Sequence, residues 1–446
     1  ARGKYMDLSQ YFEYQTATPI SNEVINAIYN SLKENWGDPG GKNIVGLKTK
    51  EALENAKKSV GKMINCDPEE LMFMSSIKEA NGYILNKVLK LWNAYIQEKG
   101  IRDEIPHFII SEVEHPSVIE KALSMEAEKT ISLSLIHVQQ DGTIDVEAAE
   151  DHMNTYRNTA LVSLMHANNE TGAINDIKRL SSIVKKFNTN SRSSSNNFKV
   201  LVHTDSSYII GKGHVDVQNI GVDYMTFSGR LIYGPSSGIV FVKGLSEKIS
   251  LNPLLYGSVD TMEGGSMIEN VPMIVGLGVA SDLIMRNIYR DMDHYDTLTK
   301  YFMRVIRLRN PYKRSFDIGF NGDFSSLQKV IPNTVNFSLK VLDSSSIPMI
   351  KQLLEADLFT KLLERGFSLG KRSEFYSGPS PILSAMGVEG VMLKTALRFS
   401  VGRETTMSDV DNFIDAYWDL INELGFNEKA YSYINLFGVK LFKGMF

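Results

Sequence analysis

The chain has 446 residues, 43% of them hydrophobic and 22% charged, with a formal net charge of −4. Such proportions belong to a globular protein large enough for more than one core, and the charge gives no electrostatic footprint for nucleic acid or an anionic membrane. A single cysteine, Cys66, excludes an internal disulfide.

The opening ARGKYMDLSQ has no apolar signal-peptide core. It starts without Met, which leaves open a removed presequence or a shortened chain. HFIISEVEH (107–115) predicts a buried strand running into a polar loop, and PSVIEKALSMEAEK predicts a helix with Pro116 near its start. TALVSLMHANNETG repeats strand and polar loop, and DIKRLSSIVKKF supplies the next helix. NTNSRSSSNNF (188–198) is polar and of low complexity, so a surface loop is expected. KVLVHTDSSYIIG is a third strand with Asp205 near its carboxyl end, and DYMTFSGRLIYGPSSGIVFVKG predicts two strands around a Gly/Pro turn. Val271–Met285 is the longest apolar run. It is too short to span a bilayer and predicts a buried helix.

A composition shift around 286–325 precedes a strand in TVNFSLKVL, a helix in IPMIKQLLEADLFTKLLERG, and a strand, turn and amphipathic helix in LRFSVGRETTMSDVDNFIDAYWDLINEL. The expected division is a large α/β domain over 20–290, with 1–19 and 300–446 forming a smaller α+β domain. Strands alternating with helices imply a mostly parallel sheet covered on both faces, with ligands bound outside the carboxyl ends of its strands. The loops SEVEH, HANNETG, HTDSS and FSGR all lie at those ends. No metal site is expected, because the eight histidines show no HExxH or CxxC spacing. GLGVAS (276–281) is only a weak look-alike of a dinucleotide loop, since no strand precedes it.

YFEYQTATP, SEVEHPSV, MHANNETG, VHTDSSYIIGK, SGRLIYGP, ENVPMIVGLG and ALRFSVGRETT occur in this order. Together they resemble the landmarks of the class V aminotransferase-type family, specifically the cysteine desulfurases and selenocysteine lyases, over nearly the whole chain. The resemblance implies an α/β fold of the pyridoxal-phosphate-dependent transferase type I, and a homodimer. It assigns Asp205 to the pyridinium nitrogen, His115 to stacking on the ring, Asn169 to the phenolic oxygen and Ser228 to the phosphate. Arg398 matches the clamp for a substrate carboxylate, a task that suits its bidentate fork.

The departures carry as much information. Where the family has His-Lys before its Tyr-Gly-Pro, this chain has Arg230-Leu231, and leucine can neither form an imine nor shuttle a proton. Lys212 and Lys243 are more than ten residues distant in sequence. Ser373 aligns with the catalytic cysteine, and serine cannot form a persulfide. Ser76-Ile77-Lys78 replaces a Gly-Gly-Thr phosphate cup at a helix N-terminus, although Lys78 could offset one phosphate charge. Tyr208 replaces a glutamine, and Gly265-Ser266-Met267-Ile268 replaces an Arg-Pro-Gly-Thr segment. Arg230 is expected to turn inward and pair with Asp205 or with another anion, while Tyr208 and Leu231 fill volume. Cys66, in INCDPEEL, reads as a small buried residue remote from this chemistry.

Two functions therefore remain. The first is a pseudoenzyme with a structural, regulatory or assembly role, a homodimer or a subunit of a larger assembly. It has no cofactor, no catalytic residue, and vestigial His115, Asn169, Asp205, Ser228 and Arg398. The alternative is a surviving lyase or desulfurase that binds pyridoxal phosphate, or another anion, noncovalently. The family resemblance leaves the location mitochondrial or cytoplasmic.

Overall fold

The computed structural model describes residues 8–191, 198–245, 270–343, 357–371 and 378–424. The chain starts with β1 (Tyr11–Phe12), α1 (Asn22–Glu34), α2 (Ile44–Ile64), β2 (Leu71–Met74) and α3 (Ile77–Lys99). It continues through β3 (His107–Ser111), α4 (Pro116–Ala127), β4 (Ser132–Ile136), α5 (Ala148–Thr155), β5 (Thr159–Ser163) and α6 (Ile177–Ser191). Next come β6 (Leu201–Asp205), α7 (Val217–Ile220), β7 (Tyr224–Ser228), β8 (Gly238–Val242) and α8 (Val271–Leu308). The last elements are β9 (Phe316–Phe320), β10 (Thr334–Val341), α9 (Leu358–Glu364), β11 (Ser368–Lys371), α10 (Pro381–Ala385), α11 (Gly390–Thr395), β12 (Leu397–Ser400) and α12 (Met407–Glu423).

These elements sort into two units, one made of Gln15–Asp293 with Gly322–Pro332, the other of the remaining described residues. The larger unit holds a seven-stranded sheet in the order β2-β8-β7-β6-β5-β3-β4. Neighbours from β7 to β4 pair in parallel, and β8 is antiparallel to both β7 and β2. Only β8 therefore runs against the rest. Strands β3, β5, β7 and β8 are buried at every position, as expected where helices cover both faces of a sheet. Ile84, Leu85, Val88 and Trp92 of α3 share one core cluster with Phe108 and Ile110 of β3, Leu161 of β5 and Val240 of β8. The sheet is thus locked beneath α3, and the carboxyl ends of β3, β5, β6 and β7 share one edge.

The smaller unit carries a five-stranded sheet in the order β1-β11-β12-β10-β9. Its core is aromatic: the Phe302 ring stacks on Phe399 at 4.1 Å between centroids, and Phe12 lies 4.7 Å from Phe399 on a similar plane. Helix α12 begins with the Thr406/Asp409 capping box, which the ETTMSDV segment encodes directly.

Two expectations require correction. Residues 188–191 are not loop: α6 continues to Ser191, past its last apolar residue Phe187, with the Asn188 amide paired to the backbone of Val200, and 192–197 lie outside the described residues. The run from Val271 is not short either, since α8 has 38 residues and is long and apolar enough to cross a membrane by length and composition alone. Half of its most apolar stretch is buried inside the chain. A Cβ on Gly276 would lie 2.6 Å from Ile28 of α1, and one on Gly278 would lie 2.8 Å from Ala56 of α2. Glycines here permit close helix contact, so this apolar face has a protein neighbour.

Candidate functional site

Asp205 closes β6 and is 1% exposed. A carboxylate buried that deeply needs its lone pairs filled. Ser207 donates to Oδ1 from its backbone N–H at 2.9 Å and from Oγ at 2.6 Å, while Asn81 Nδ2 donates to Oδ2 at 2.8 Å. Asn81 itself lies on α3 and is fully buried. Its Oδ1 accepts from Thr226 Oγ1 of β7 at 2.5 Å, and its Nδ2 also reaches Ser117 Oγ at 2.8 Å.

These partners give the network a direction. Thr226 Oγ1 gives its only proton to Asn81, so its 3.0 Å contact with His203 Nε2 has the imidazole N–H donating. His203 Nδ1 must then accept from Ser163 Oγ, 2.8 Å away. At the other end Ser117 Oγ receives a proton from Asn81 and lies 2.7 Å from His115 Nδ1, which also accepts the Ser117 N–H at 3.2 Å. His115 Nδ1 is an acceptor, which assigns the ring proton to Nε2. One continuous set of hydrogen bonds therefore runs Ser163–His203–Thr226–Asn81, then branches to Asp205 and through Ser117 to His115. Burial pulls the His203 imidazole down to about 4, so it stays neutral near pH 7.

His115 sits at the N-cap of α4, its ring centroid 6.3 Å from that of Tyr208. Asn169 is 4% exposed in the loop after β5. That loop is shaped by its neighbour Asn168, whose Oδ1 accepts from the N–H groups of Glu170 and Thr171 at 2.9 and 3.0 Å. Ser228 ends β7 and is 5% exposed, on the strand whose Thr226 pairs in register with Asp205. His115, Asn169, Asp205 and Ser228 thus all lie at the carboxyl edge of the large sheet.

Leu231 follows at once, buried in a single 3-10 turn, Gly229–Leu231. Thr18 clamps this turn. Its N–H and Oγ1 both donate to the Arg230 carbonyl, at 3.0 and 2.8 Å, and its Oγ1 accepts the Tyr233 N–H at 2.7 Å. Tyr233 adopts a left-handed φ of 60°, a conformation that costs a non-glycine residue energy and needs such support.

Arg230 does not behave as expected. It is exposed, and the partners of Asp205 are Asn81 and Ser207, which leave the carboxylate no need of a guanidinium. Tyr208 and Leu231 are buried, at 8% and 5% exposure. Lys212, remote from Leu231 in sequence, is 4% exposed and brings Nζ to 3.4 Å from the Leu231 carbonyl oxygen.

At the N-terminus of α3, Ser76 Oγ caps the Glu79 N–H at 3.2 Å, and Lys78 is exposed. Arg398 belongs to the smaller unit, on β12. It is 3% exposed, with Glu13 3.9 Å away, and its guanidinium lies so close over Gly370 that a Cβ there would meet Nε at 2.5 Å. Ser373 and 265–268 lie outside the described residues. Sequence reasoning missed Asn81, Ser117, Thr226 and Lys212. The one available signal was a polar residue on the inner face of an otherwise apolar helical pattern.

A family model described as aminotransferase class-V matches residues 10–413. A selenocysteine lyase of Xenopus tropicalis is 33% identical over 94% of this chain and 95% of its own length. A cysteine desulfurase of Dictyoglomus turgidum is 29% identical over 93% and 95%. Among solved structures, a NifS-like protein superposes with a TM-score of 0.75 at 24% identity, covering 92% of this chain and 99% of its own. The last likeness speaks to the fold.

Two variants test this geometry. Asn81→Leu strands a buried carboxylate oxygen and two hydroxyls, and should lower unfolding free energy by about 4 kcal/mol in denaturant titrations. Burial of Lys212 pulls its ammonium from 10.5 down to about 7, so its contribution to stability is complete above 10.5 and is lost as pH falls through 7. Lys212→Met should therefore be the more stable protein near pH 7, by on the order of 2–4 kcal/mol, with the gap closing toward about pH 10.

Proposed function

We propose that this chain, which belongs to the class-V aminotransferase family, keeps the crevice of its selenocysteine lyase and cysteine desulfurase relatives without their turnover. On this reading it acts as a structural, regulatory or assembly subunit. The observation that carries the proposal is Leu231, an aliphatic and buried side chain at the position where the family resemblance requires an amine to tether an aldehyde. Ser373 in place of the sulfur-accepting cysteine agrees with it at the level of sequence.

The residues present do not fit pyridoxal phosphate as a covalent prosthetic group. Leucine offers no nucleophile. Ser76 Oγ is engaged in capping its own helix, and Lys212, an amine beside Leu231, is hydrogen-bonded to backbone. No reaction step is therefore assigned to this crevice. Full-length protein mixed with pyridoxal phosphate should release neither sulfide from cysteine nor selenide from selenocysteine, and borohydride reduction followed by peptide mass spectrometry should find no pyridoxyl adduct. An adduct on any side chain, Lys212 included, would overturn the proposal. Product release without an adduct would establish noncovalent use of the cofactor instead.

A retained scaffold needs a partner, and the described surface offers one. Ile25, Tyr29 and Leu32 form an exposed row on α1, continued by Trp36, 72% exposed, and by Ile44 and Leu47 at the start of α2, 81% and 53% exposed. An apolar face of this kind marks a protein contact. We assign it to a homodimer, with a larger assembly as the other use of the same face. Leu32→Glu with Trp36→Glu should halve the mass seen by sedimentation equilibrium while leaving circular dichroism unchanged. An unaltered dimer mass would remove this face from the contact.

A further inference from the structure

We infer that Glu114 is held in this fold as an uncharged carboxylic acid, a positioning residue that pins the loop carrying His115 to the end of β5. Glu114 is 3% exposed. Its Oε1 accepts the Met165 N–H at 2.6 Å and Ser111 Oγ at 2.7 Å, so one oxygen ties the ends of β5 and β3 together immediately before His115. Its Oε2 is buried and has no hydrogen-bond partner among the described residues. An ionised carboxylate would place charge on a desolvated, unpaired oxygen, and protonation removes that charge, the larger part of the cost.

The surroundings agree. From β3 Glu114 meets a hydroxyl, from the loop after β5 a backbone amide, and from β6 another acid, Asp205, whose charge opposes a second one. No lysine or arginine pairs with it among the described residues, and the neighbouring His115 and His166 make their side-chain bonds to Ser117 and Ser206. Burial, with Asp205 adding to it, pushes the Glu114 carboxyl up to about 8. Glutamine is then the nearest uncharged isostere of the native side chain, and the inference holds whether or not the crevice turns over substrate.

The sign follows from linkage. An acid whose folded value is raised from 4.5 to about 8 contributes stability that is full below 4.5 and is lost as pH rises through 8. The test is thermal unfolding of the full chain across that range for the wild type, Glu114→Gln and Glu114→Ala. The Gln variant should match the wild type near the acid end and melt above it at the alkaline end. The Ala variant should melt below both throughout, because Met165 and Ser111 lose their acceptor. Infrared spectra of the wild type supply a readout that needs no stable variant: a protonated-carboxyl stretch should persist at neutral pH, vanish on alkaline titration, and be missing from Glu114→Gln. A Gln variant that melts below the wild type by a constant interval at every pH, or the absence of that stretch at neutral pH, would overturn the inference.

Discussion

Everything at the carboxyl edge of the large sheet is organised by one constraint: a carboxylate at the end of β6, sealed from water, must be satisfied from within the chain. Asn81 meets it from a helix, Ser207 from the following loop. The same Asn81 amide is also the only link in the described network that joins Thr226 of β7 to Ser117 of α4. Buried polar groups joined in this way strengthen one another when complete and are costly when any member is missing. The edge therefore behaves as a unit, and the positions of His115 and Asp205 are not independent.

The apolar framework makes that constraint tolerable. Strands buried on both faces cannot shift register without exposing β-branched and aromatic side chains, so the ends of β3, β5, β6 and β7 are fixed relative to one another. Only loops and caps remain to be placed, two of them by local motifs, Asn168 under its own loop and His115 on α4, and one by the long-range bond from Thr18 to the Arg230 carbonyl. None of these ties uses the side chain at position 231, since Thr18 holds the backbone of the neighbouring Arg230 and Lys212 reaches the Leu231 carbonyl.

Much of this was legible beforehand. Period and punctuation placed HFIIS, TALVS, LVHTD and YMTFS as strands, and the polar loops at their ends as one edge, because alternation with helices leaves few other solutions. Contacts between residues far apart in sequence were hidden. Asn81 reads as an ordinary helix residue, and Lys212 as remote from Leu231, until the fold brings them to Asp205 and to the Leu231 carbonyl. Arg230 was misjudged because a buried aspartate needs a partner and a cation stood near in sequence, whereas amide and hydroxyl donors fill the carboxylate. The length of α8 was missed because the change from apolar to charged composition after Met285 divides what is one continuous helix to Leu308.

The Thr18 clamp has a temporal side. Its bond to the Arg230 carbonyl spans 212 positions, so during synthesis Thr18 leaves the ribosome long before the backbone it must grip. When the loop around Leu231 is made, Thr18 is already present to support the strained Tyr233. The clamp thus couples two distant stretches of one chain, and a change at Thr18 would be felt in the backbone around Leu231.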